Sequence, residues 1–222
     1  MKKVVGVLMI LMALVGFVVA QTEVAEAYQL LQKSRNGDTK AQKELIISLE
    51  KYTTDHSDHV FAHVILGEAY LLQARDAKED WDKMKWTGKG FQYMDKAVQM
   101  KPDDYMIRLE RGLTYFYMPA MLNKGSVARA DFERLLQIVE KEKDDYFTAH
   151  PQSALYGNTG NSAVYAQTIR QMVLYYAGKI YQRDGDAEKA LQLFSKCIVL
   201  NKESRFGTMA QKEVTAPVEN GK

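Results

Sequence analysis

The chain of 222 residues contains a single cysteine, Cys197, so no intramolecular disulfide can form. Its fold must rest on packing, and an unpaired thiol of this kind is expected to be buried and structural. Proline is scarce as well: of the four, Pro102 follows the run Phe91 to Met100, Pro119 follows Tyr115-Phe116-Tyr117-Met118, Pro151 lies in a polar link and Pro217 in the C-terminal tail. Each therefore ends a segment instead of kinking one. Strand-type alternation is nearly absent, while apolar residues return every three or four positions, the period of a helix. The chain also lacks a phosphate loop, a nucleotide fingerprint, a strand-to-serine elbow and an HExxH pair. Those absences argue against an enzyme and leave no cofactor to expect.

An excess of either charge is missing too. Residues 1–20 carry Lys2 and Lys3 and no acid, so the remainder has 28 basic and 28 acidic residues. A balance of that kind leaves no electrostatic footprint for nucleic acid or an anionic membrane. The first twenty residues read as an export signal: two lysines, an apolar stretch from Val4 to Val19, and small residues at Val18 and Ala20 before Gln21. A second small-x-small site, Ala25-Glu26-Ala27, lies several polar residues further on. An uncleaved anchor is the alternative, since about 17 apolar residues just span a bilayer. No cysteine stands near the junction, which argues against a lipid-modified lipoprotein. The protein is thus expected to be exported, to a periplasm or beyond, without stable membrane insertion after cleavage.

The clearest segment is Met172 to Asn201. Ala177-Gly178 is followed by Tyr181, by Gly185 in a turn, and then by Ala190, Phe194 and Cys197. Small residues stand where two helices approach closely, and rings fill the space between them. Asp184-Gly185-Asp186 provides a left-handed residue for the turn and a carboxylate to cap the next helix. This pattern resembles the tetratricopeptide repeat (TPR), a helix-turn-helix unit of about 34 residues. Two looser copies precede it. Leu66-Gly67 and Tyr70 open one, closed by Met94, Ala97 and Pro102 after an excess of about eleven residues. That excess, near 76–89, holds both tryptophans, Trp81 and Trp86. Gly112 and Tyr115 open the next, closed by Ala128, Phe132 and Leu135 after a link lengthened by about four residues. The resemblance implies an all-α, TPR-like solenoid of helical hairpins: a helical pair over 21–57 joined at Asn36-Gly37-Asp38, three units with insertions over 58–202, and a tail over 203–222.

In the resembling family the first helix of each pair lines a concave groove that holds a peptide or partner protein. Carried over by register, the groove residues are Phe61, Val64, Leu71, Leu72, Met106, Leu109, Leu113, Phe116, Tyr117 and Tyr175, a mostly apolar wall. The first two copies lack the lysine and asparagine with which some members grip a terminal carboxylate, so an apolar or aromatic segment is the expected partner. An accessory of a transport system, binding a small apolar ligand, is the alternative. Arg108 and Arg111 fall between the helices of their copy, so each needs either a carboxylate from another helix or a bound anion. On a helix His59 and His63 share a face with His56 nearby, a spacing compatible with a metal; capping by Asp55 or Asp58 and helix packing explain the same residues without one. The insertion over 141–170 brings Tyr146, Phe147, Leu155 and Tyr156, which either fold back over Leu109, Leu113, Phe116 and Tyr117 or extend the array as irregular helix. The export reading is checked by N-terminal sequencing of the protein from its native host. The mature chain is expected to begin at Gln21, and retention of Met1 would refute it.

Overall fold

The computed structural model describes residues 23–215, and among these every regular element is helical. The proposed export signal, over 1–20, and Pro217 lie outside the described residues. The chain divides into two compact units, Met1–Pro102 and Asp103–Lys222.

The first unit holds α1 (residues 23–35), α2 (Thr39–Asp55), α3 (Val60–Asp76) and α4 (Asp80–Met100). Gly37 turns the chain between α1 and α2 at φ +92°, and Asp38 caps α2 by accepting from the amides of Lys40 and Ala41. That conformation is open to glycine and strained for most side chains. Tyr28 of α1 rests on Phe61 of α3, and seven residues on Arg35 pairs with Glu68, so α1 and α3 run parallel as first helices of successive hairpins do. The α3–α4 contact is closer still. A Cβ added at Gly90 would stand 2.8 Å from the carbonyl oxygen of Gly67, so the two backbones nearly touch. Met94 and Ala97, one and two turns along, are fully buried. Most of the excess over 76–89 is helix: α3 runs on to Asp76, a short link over 77–79 follows, and α4 begins ten residues before Gly90. Eleven residues make about three turns, which lengthens the hairpin without rotating its buried face. Trp86 in this extension stacks on Tyr70 with ring centroids 5.6 Å apart, and Tyr70 hydrogen-bonds Glu50 of α2.

The second unit holds α5 (Tyr105–Phe116), a 3-10 turn (Ala120–Leu122), α6 (Gly125–Lys141), α7 (Asp144–Thr148), a second 3-10 turn (Ser153–Tyr156), α8 (Ser162–Arg183), α9 (Ala187–Leu200) and α10 (Arg205–Thr215). In the α5–α6 hairpin a Cβ at Gly112 would lie 3.1 Å from the Phe132 ring. In the α8–α9 hairpin Gly185 turns the chain at φ +87° and Asp186 caps α9, as its sequence indicates. Cys197 is fully buried and donates its thiol hydrogen to the Gln171 carbonyl at 3.4 Å, while the Gln171 amide donates to the carbonyls of Cys197 and Asn201.

Two expectations need correction here. Residues 203–222 are not simply a tail, because 205–215 form α10, which packs on α8 and α9 through Phe206 and Ala210. Gly207 permits this: a Cβ there would stand 2.0 Å from the Asn201 carbonyl oxygen. Nor do Tyr146 and Phe147 of the 141–170 insertion fold over the far end of α5. Phe147 is fully buried at the start of α5, where the Tyr105 hydroxyl donates to its carbonyl at 2.9 Å and the rings of Tyr146 and His150 also meet Tyr105. Phe116 and Tyr117 lie about 16 Å further along the helix. Residues 162–170 belong to α8, and Arg170 ties the segment down by donating to Asp144 and to the carbonyls of Val139 and Glu142. Around Tyr146 and Phe147 the insertion thus extends the array as irregular helix.

The close contact in the last hairpin sets a test. A Cβ at Gly178 would stand 2.5 Å from the Phe194 ring, and Ala190 is 2% exposed. Gly178→Leu and Ala190→Leu are each expected to destabilise by about 1–3 kcal/mol through overpacking. Denaturant unfolding measures this, and unchanged stability in both would contradict the packing described.

Candidate interaction surface

The side chains that register places in the groove are mostly core. Phe61, Val64, Leu71, Met106, Leu109 and Tyr175 are buried, Leu72, Leu113 and Phe116 are half-buried, and Tyr117 alone of the ten is well exposed, at 67%. In the first unit α1 is the reason. Tyr28 covers Phe61, and Arg35 donates to both carboxylate oxygens of Glu68 at 2.6 Å. In the second unit α10 does the same for α8: Phe206 meets Tyr175 at 6.0 Å between ring centroids, and Glu213 accepts from the Tyr175 hydroxyl and from Lys179. Burial, with the Glu213 carboxylate beside it, pushes the Tyr175 hydroxyl up to about 12. Register identifies which helix face looks inward; it does not reveal that another helix already lies on that face.

What stays open is the edge where α5 and α8 end. The hydroxyls of Tyr117 and Tyr176 share a hydrogen bond of 2.8 Å, and the Phe116 ring packs edge-on against Tyr176 at 5.5 Å. Arg183 of α8 lays its guanidinium over Phe116, 5.4 Å from the ring centre. Burial, then the bond to Tyr117, raises the Tyr176 hydroxyl well above the ordinary tyrosine value. The link that follows is apolar, with Met121 85% exposed, and Asn123 leaves it in the left-handed conformation at φ 52°. Aromatic faces with a hydroxyl pair and a cation at their margin suit an apolar side chain accompanied by a hydrogen-bond acceptor.

Arg108 and Arg111 meet a carboxylate from another helix. Arg108 donates to Oδ1 of Asp131 at 2.7 Å, and Arg111 donates to both Asp131 oxygens at 2.8 Å. Asp131 lies on α6 with no exposed side-chain surface, and its Cβ is 3.3 Å from where a Cβ on Gly112 would stand. The missing side chain at Gly112 lets α6 bring its carboxylate between the two guanidinia. The anion contact proposed for this pair is therefore replaced by an internal one.

The histidines do not converge on a metal. His59 caps α3, its Nδ1 accepting from the Ala62 amide at 3.2 Å, a role expected of Asp55 or Asp58. His63 is buried, with Nε2 2.9 Å from the Ser57 carbonyl, and the His56 ring lies on Tyr52. Desolvation lowers the pKa of both His59 and His63. Among the described residues no group of three His, Cys, Asp or Glu side chains is placed to hold a metal ion.

No protein-family model and no curated protein sequence matches the chain. A solved structure does: the crystal structure of TTC0263, a thermophilic TPR protein in Thermus thermophilus, aligns over 86% of this chain and 80% of that one, with TM-score 0.56 and 15% sequence identity. The fold is TPR-like. In TPR terms Gly67, Gly112 and Gly178 hold one position in three hairpins, answered on the second helices by Met94, Phe132 and Phe194. The contacts missed by sequence reasoning are those added to the TPR frame, namely the cover by α1 and α10 and the insertion anchored at Tyr105. A signal for α10 was present in Phe206, Gly207 and Ala210 behind the capping Ser204, whose hydroxyl accepts from the Gly207 amide.

Removing the shared carboxylate tests the buried charge cluster. Asp131→Ala leaves two guanidinia, only 16% and 11% exposed, without this partner. The expected cost is about 3–5 kcal/mol in urea unfolding, as for other buried pairs broken on one side. A loss below about 1 kcal/mol would show that neither arginine depends on Asp131.

Proposed function

We propose that this protein is an exported, non-enzymatic scaffold that binds a segment of another protein at the aromatic edge formed by Phe116, Tyr117, Tyr176 and Arg183. The TPR-like fold supports a protein-interaction role, because stacked helical hairpins present extended surface and no built-in chemistry. The observation that carries the assignment is the exposure of Tyr117 at 67%, hydrogen-bonded and ringed by aromatics, beside core residues that register had placed in a groove. A large aromatic fixed by a hydrogen bond loses little entropy on binding and offers both an apolar face and a polar tip. Export rests on Lys2, Lys3 and the apolar stretch Val4 to Val19. The small apolar ligand loses support on α3 and α8, where Tyr28 of α1 and Phe206 of α10 already cover Phe61 and Tyr175.

The test places a photo-crosslinking amino acid at Tyr117 in the native host and identifies the adduct by mass spectrometry. One protein is expected to dominate, and its affinity for the purified scaffold should fall about tenfold or more in Tyr117→Ala and in Arg183→Glu, the loss typical of an interface anchor. Unchanged affinity in both variants would overturn the assignment of this edge.

A further inference from the structure

We propose that the start of α3 is an acid-sensitive latch, in which His59 and His63 hold the helix only while both rings are neutral. The cap is the first observation. Most helices are begun by the side-chain oxygen of Ser, Thr, Asp or Asn, none of which titrates near neutral pH. Here Asp58 lies one residue before the cap position, and the imidazole of His59 takes the role, its Nδ1 accepting from the Ala62 amide at 3.2 Å. That amide also reaches the His59 carbonyl, at 3.1 Å. A ring nitrogen that accepts carries no proton, so His59 is the neutral tautomer protonated at Nε2. A second proton enters at Nδ1 and sets one N–H against another across the same 3.2 Å. It also puts a cation at the N-terminus of a 17-residue helix, the end that disfavours positive charge.

His63, one turn further on, is restricted in the same way. It is 1% exposed, its Nε2 lies 2.9 Å from the Ser57 carbonyl, and its Nδ1 has no hydrogen-bond partner among the described residues. A carbonyl only accepts, so Nε2 holds the proton of the neutral ring and a second proton, at Nδ1, is buried without an acceptor. The groups around the pair do not compensate. Lys96 of α4 acts against a charge on His63, whose ring lies 5.5 Å from that of Tyr93. At His59 the Tyr52 ring of α2 stands edge-on at 5.4 Å, and His56 and His63 oppose a charge that Asp58 favours. Glu23 of α1 acts on the Tyr52 hydroxyl behind them. Desolvation is the largest influence on both imidazoles and holds each below its ordinary value. A histidine so lowered lends the fold stability that is complete above about pH 6.5 and is lost as the pH falls towards the lowered value. Acid therefore loosens the start of α3, and with it the contact of Tyr28 with Phe61, two residues past the cap.

Trp81 and Trp86 both belong to the first unit, so urea unfolding of the whole protein followed by tryptophan fluorescence reports on that unit. Between pH 7.5 and 5.5 its unfolding constant is expected to rise by roughly tenfold to a hundredfold, the upper limit being about tenfold for each histidine kept neutral. His59→Asn keeps a cap that cannot titrate and should remove one share of the rise. His63→Gln, whose amide can still donate to the Ser57 carbonyl, should remove the other, and the double variant should change by less than about threefold. A wild-type rise below about threefold would overturn the proposal. So would a double variant that keeps the full rise, or His59→Asn responding as the wild type does. Ring-proton NMR on the wild type needs no variant: His59 and His63 should titrate below about 6.5 in the folded protein, and titration of either at or above that value would overturn the latch as well.

Discussion

Close approach between paired helices is the constraint on which the structure depends. Gly67, Gly112 and Gly178 each face a second helix at a distance that would crowd any side chain. Because the backbones are so near, one large residue opposite each glycine suffices to close the gap: Met94, Phe132 and Phe194, all essentially buried. The contact is local in sequence, so each hairpin can form early and present its faces for stacking. Length can then be added at the hairpin ends or between hairpins, as the helical extension before Gly90 and the segment anchored at Tyr105 both do, without disturbing that contact.

The same closeness has an electrostatic result. With no side chain on Gly112, Asp131 comes deep enough to accept from both Arg108 and Arg111, which fixes the relation of α5 to α6 through charged groups as well as through rings. A buried charge cluster of this sort adds little net stability over a well-packed apolar one, but it penalises any register in which the three groups do not meet. Apolar packing holds the hairpin closed while the arginines restrict how it closes.

The TPR-like fold was legible because its determinants are short-range: a glycine, a ring three residues on, and small and large residues on the returning helix. The turns were legible for a similar reason, since Gly37 and Gly185 take up the left-handed conformation that their flanking aspartates advertise. The surface was legible only in part. Phe61 and Tyr175 do lie on first helices, but whether a first-helix face is open depends on α1 and α10, whose contacts are made across long stretches of sequence. His59 shows the same limit on a smaller scale, because its ring can bind a metal or accept from an amide and only the backbone of α3 decides between them. Arg108 and Arg111 were recognisable as a problem in need of a carboxylate; nothing in the sequence singled out Asp131 among the acids nearby.

Cys197 carries a consequence of its own. Its thiol is fully buried, donates to the Gln171 carbonyl, and is pushed up to about 12 by desolvation. The thiolate is the reactive form, so in the closed hairpin the sulfur is inert towards oxidants and alkylating reagents alike. An oxidant that meets the folded protein therefore leaves this sulfur untouched, while opening of the last hairpin would expose it to attack.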